Sequence, residues 1–116
     1  MFESLSVRID GALGELRLER PEKLNPLSVG TLEEIVRAAR HFDADRGVKV
    51  VVVRGSGASF SSGADLASFG STFGRTTREV AELGRAMADA VEAMRAITIV
   101  AIRGWCIGGG LVLASA

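Results

Sequence analysis

A chain of 116 residues, 47% of them hydrophobic, is long enough for one enclosed core and too short for two. Fourteen Lys and Arg balance fourteen Asp and Glu with no run of one sign, which argues against a nucleic-acid or anionic-membrane surface. The single cysteine, Cys106, excludes an internal disulfide, and MFESLSVRID lacks the basic and apolar regions of a secretion signal, so a cytoplasmic location is expected.

Two segments with partial period-2 alternation open the chain: FESLSVRI, with Phe2, Leu5, Val7 and Ile9 apolar, and ALGELRLE, with Leu16 and Leu18 inward. Asp10-Gly11 between them predicts a hairpin turn. RPEKLNPLS then reads as an extended loop. Ser28 is a candidate N-cap for a helix whose apolar positions, Val29, Leu32, Ile35, Val36 and Ala39, line one face. Val48 to Gly55 is a β-branched run suited to a strand buried on both faces. A Gly/Ser-rich loop comes next, then a long helix with Val80, Leu83, Met87, Val91 and Met94 facing inward. TIVAIRG predicts a second buried strand, after which Gly108-Gly109-Gly110 precedes the start of another helix at Leu111 to Ala114. Strands linked by helices imply parallel pairing and an α/β fold. Ile97 to Ala116 has the length of a membrane span, but Arg103 and three glycines within it argue against one.

Both predicted buried strands end in glycine-bearing turns, Ser61-Ser62-Gly63-Ala64-Asp65 and Gly108-Gly109-Gly110. In open α/β sheets ligands gather beyond the carboxyl ends of the strands. Glycine-rich turns there leave backbone N–H groups free to face a ligand, with no Cβ in the way. Two such turns side by side could aim two donors at one oxygen, and one oxyanion donor is worth roughly 3 kcal/mol in a transition state.

RPEKLNPLS, FSSGADL and AIRGWCIGGGLVLA, in this order and spacing, resemble the N-terminal half of the enoyl-CoA hydratase/isomerase family, the crotonases. The resemblance implies a ClpP/crotonase-like spiral of ββα units, cut before its C-terminal helices, with residues 1–116 as the first part of one domain. It also implies an acyl-CoA substrate, whose CoA makes a separate cofactor unnecessary, in fatty acid or related metabolism. A homotrimer or hexamer is implied by the same resemblance. The implied oxyanion donors are the N–H groups of Ala64 and Gly109. Ala64, Asp65, Leu66 and Ala67 would line the substrate site, and Lys23 and Leu24 would contact the CoA nucleotide. One position departs from the pattern: where hydratases of the family carry a catalytic glutamate, two residues after the glycines, this chain has Val112. Hydration needs a group that moves a proton, so an alternative expectation is a non-catalytic scaffold that binds CoA esters or a protein.

The remaining chemistry-bearing residues read as structural. Asp65 offsets a helix dipole more readily than it serves as a base, and His41 suits the C-terminal end of its helix. Cys106 and Trp105 are expected to pack. No His/Cys spacing fits a metal site. GSGASF lacks the third glycine of a dinucleotide fingerprint, and GASFS lacks the closing glycine of a nucleophile elbow.

Overall fold

Alternation and capping produce the elements in the expected order, as a computed structural model describing residues 2–64 and 77–116 records. Strand β1 (Leu5–Asp10) turns through Gly11 and Ala12 into β2 (Leu13–Leu18), antiparallel, with Asp10 opposite Leu13. The turn thus lies one residue later than Asp10-Gly11 suggests. A single 3-10 turn (Pro21–Lys23) and the two-residue strand β3 (Pro26–Leu27) occupy the stretch expected to be a loop. Helix α1 (Val29–Ala44) begins as predicted, with Ser28 Oγ accepting from Thr31 N at 3.1 Å. Strand β4 (Val50–Gly55), the short β5 (Gly63–Ala64), helix α2 (Thr77–Glu92), β6 (Ile97–Ala101) and helix α3 (Gly109–Ser115) complete the order.

Four strands form one sheet in the order β1-β2-β4-β6, with β2, β4 and β6 mutually parallel; β3 and β5 form a second, two-stranded parallel sheet. Leu16, Leu18, Val51 and Val53 project from one face of the larger sheet into a core completed by Ile35, Phe42, Met87 and Val91 from α1 and α2. Leu113 of α3 is fully buried in the same core. Leu83 and Met94 are half-buried against it.

Burial of the central strands is one-sided, which corrects the two-sided expectation. Val51 and Val53 are inaccessible, whereas Val50 and Val52 are half-buried. Strand β6 lies last in the sheet, and Ile97 and Ile99 are 67% and 52% exposed. The reason is geometric: both helices that cover the sheet contribute to its inner face, so alternate residues of β6 point where no described residue covers them. Trp105, expected to pack, is 56% exposed. Among the described residues no helix is long and apolar enough to cross a membrane.

Removing a ring from this core costs both transfer energy and a cavity. Phe42→Ala is expected to lower unfolding free energy by about 3–5 kcal/mol. Ile99→Ser, on the exposed face, should change it by less than about 0.5 kcal/mol. Urea denaturation followed by circular dichroism checks both values.

Candidate functional site

Local chemistry after β2 prepares the site. Leu24 and Asn25 both take left-handed backbone angles, φ 63° and 50°, a conformation that costs a non-glycine residue on the order of 1 kcal/mol. Asn25 offsets the strain by inserting its carboxamide, 1% exposed, between two loops. Its Oδ1 accepts from Arg20 N at 2.9 Å, and its Nδ2 donates to Ser56 O at 2.9 Å and Ser59 O at 3.0 Å. The loop after β2 and the loop after β4 are therefore fastened by one side chain.

Ser61 continues the fastening. It is completely buried; its hydroxyl donates to Asn25 O at 2.8 Å and accepts from Gly63 N at 3.1 Å. Next to it, Ser62 N donates to Leu24 O at 2.8 Å. The segment also binds the strand-end turn that succeeds β6: Phe60 N donates to Arg103 O at 2.7 Å, Ser61 N to Trp105 O at 2.9 Å, and Ile107 N to Ser61 O at 3.2 Å. Trp105 N reaches Ser59 Oγ at 3.3 Å. Cys106 sits opposite Ser61 as a single bridge and packs, half-buried, against the core.

These bonds press the two glycine turns together. A Cβ on Gly63 would lie 2.5 Å from the Ile107 carbonyl oxygen and 3.3 Å from the Gly109 nitrogen, and Gly63 itself has φ 89°. A Cβ on Gly110 would lie 2.8 Å from Ser61 Cβ and 3.0 Å from its carbonyl oxygen. Only hydrogen fits at either place, which is why the contact between the turns is main chain against main chain.

The structure brings some of the sequence-predicted site residues together. Ala64 pairs with Leu27 in the small sheet, immediately after Gly63. Gly109 is the first residue of α3, where an N–H has no acceptor within the helix; Gly110 N turns back to Ile107 O at 2.9 Å. Leu24, 41% exposed, adjoins this group through its carbonyl bond to Ser62. Lys23 ends the 3-10 turn, exposed and one residue from Leu24. Asp65, Leu66 and Ala67 lie outside the described residues. Val112 falls one turn along α3 from Gly109 and is 50% exposed.

The arrangement has counterparts. The sequence profile of the enoyl-CoA hydratase/isomerase family matches residues 8–116. The chain belongs to this family. It is 33% identical over 114 residues to crotonyl-CoA hydratase of Syntrophomonas wolfei, covering 97% of this chain and 44% of that protein. It is 32% identical over 127 residues to the peroxisomal Δ(3,5)-Δ(2,4)-dienoyl-CoA isomerase of Arabidopsis thaliana, covering 99% and 46%. Among solved structures, an enoyl-CoA hydratase/carnithine racemase from Magnetospirillum magneticum superposes with a TM-score of 0.90 at 31% identity, covering 98% of this chain and 44% of that one. The fold is thus crotonase-like, and the chain spans a little under half the length of these relatives.

Sequence reasoning missed Asn25 and Ser61 as the residues that set the turns. The available signal was Asn between Leu24 and Pro26, since Asn is among the few residues that accept a left-handed angle. Asn25→Ala leaves one donor and two acceptors without their partner and is expected to destabilise by about 2–4 kcal/mol. Asn25→Asp keeps the acceptor for Arg20 N but sets a buried carboxylate against the Ser56 and Ser59 carbonyl oxygens, and should destabilise at least as much as Asn25→Ala. Thermal and urea unfolding of the three proteins compare them directly.

Proposed function

We propose that this chain supplies the thioester-holding part of an acyl-CoA enzyme, with the N–H groups of Ala64 and Gly109 donating to the thioester carbonyl oxygen. The observation that carries the reading is the main-chain contact of Gly63 with Ile107 and Gly109, which puts the two donor-bearing turns against each other. A thioester carbonyl that gains negative charge as an enolate forms is stabilised by donors already fixed in place, because none has to reorient during the reaction. Lys23 and Leu24, held beside Ser62, would meet the CoA nucleotide, and Asp65, Leu66 and Ala67 would continue the acyl site from Ala64. No cofactor beyond the substrate's own CoA is required for this chemistry.

Val112 decides what cannot be assigned to this helix. A valine neither takes nor delivers a proton, so the acid/base work of a hydratase or isomerase would fall to another group. That same observation favours a second reading, a crotonase-like scaffold that binds CoA esters or a protein without turnover. Location in the cytoplasm and assembly as a homotrimer or hexamer belong with the first reading, on the strength of the family resemblance.

Gly109→Pro separates the two. Gly109 is the first helical position, where proline is well tolerated, so the substitution removes the N–H with little cost to α3. If the enzymatic reading holds, enoyl-CoA consumption followed by ultraviolet absorbance should fall by about 100- to 1,000-fold in kcat. Absence of turnover in the native protein, with enoyl-CoA binding retained in calorimetry, would establish the scaffold reading instead. Absence of both would defeat the proposal.

A further inference from the structure

The outer face of the four-stranded sheet, turned away from α1 and the core, carries a second feature at the carboxyl ends of its strands. A cavity of about 330 Å³ lies there, bounded by Arg17, Arg54, Arg103 and the turn Gly55-Ser56-Gly57. Its volume is in the range that small ligands occupy. These three arginines are far apart in a sequence with no basic run, and only the parallel register gathers them.

Arg17 and Arg54 are direct partners on adjacent strands, and Arg103 lies two residues beyond Ala101, the partner of Arg54 on β6. Like charges opposite one another oppose strand pairing unless something neutralises them. Glu15 does so in part: its Oε1 is 3.1 Å from Arg17 Nη2, and its Oε2 is 3.6 Å from Arg54 Nε. Glu19 stands 4.0 Å from Arg17 Nε, too far for a hydrogen bond. Among the described residues Arg17 Nε is buried without any hydrogen-bond partner, and Arg103 has no ion-pair partner. Positive charge and unused donors therefore exceed what the neighbouring carboxylates absorb.

We propose that this cavity binds a phosphoryl group. Guanidinium forks match the tetrahedral oxygens of a phosphate, and two negative charges suit a site where one shared carboxylate serves two arginines. Glu15 then has a defined part: it orients Arg17 and Arg54 from behind while competing electrostatically with the anion. The site is separate from the proposed thioester contact and does not depend on it. Its phosphoryl group could belong to free phosphate or to a nucleotide.

Calorimetric titration at constant ionic strength tests this, with inorganic phosphate in one arm and adenosine 3′,5′-bisphosphate in the other. Saturable binding of either supports the proposal, and the tighter arm identifies the source, provided that Arg54→Gln and Arg103→Gln each weaken it about 10-fold or more. Glu15→Gln should tighten binding, a direction that a purely structural ion pair would not give. Arg103→Gln, on an exposed side chain, serves where Arg54→Gln fails to fold. No saturable binding in either arm, or affinities unchanged in both arginine variants, would overturn the proposal, as would weaker binding in Glu15→Gln.

Discussion

The constraint on which the site depends is the close approach of one strand-end turn to another with nothing but hydrogen on the intervening α-carbons. Gly63 and Gly110 occupy the two places where a side chain would strike backbone or Ser61, so the turns meet through main-chain atoms. That contact sets the relative position of Ala64 and Gly109, one from the small sheet and one from the first turn of α3. The proposed pair of backbone donors needs this arrangement more than it needs particular side chains, because a donor's direction is fixed by the chain path.

The force that holds the turns there is polar and buried. Asn25, Ser59 and Ser61 are all nearly inaccessible, and each is satisfied by main-chain groups of a neighbouring loop. A buried polar group left unpaired costs more than a paired one contributes, so these residues tolerate few alternative loop arrangements. The strained angles at Leu24 and Asn25 persist because the surrounding bonds over-determine them. The hydrophobic core, with Leu18, Phe42, Val51, Val53 and Leu113, places the strand ends; the polar fastening then aligns the turns that leave them.

Legibility in the sequence tracked the range of the interactions. Ser28 could be read as a cap because its partner is Thr31, and the apolar faces of α1 and α2 could be read because helical periodicity is local. The parallel pairing of β2, β4 and β6, though not their order, was readable from strands joined through helices. The glycine turns were visible as composition, and the motifs around them carried the family resemblance that the profile match and the related structures show. Asn25 was not legible as a fastening, because its acceptors lie 31 and 34 residues further on. Nor were β3 and β5, two residues each, too short for any periodicity. The exposure of Ile97 and Ile99 was hidden for a different reason: an apolar run shows that a strand suits burial but not which residues cover it. The three outer-face arginines were equally invisible, since neutral overall charge conceals a cluster made by register alone.

Backbone amide resonances report the central claim most directly. In a ¹⁵N-labelled protein titrated with a non-reacting acyl-CoA thioester, the account predicts that the Ala64 and Gly109 amide protons both move downfield together, with one saturation curve. Saturating thioester binding that leaves either amide unmoved would contradict it.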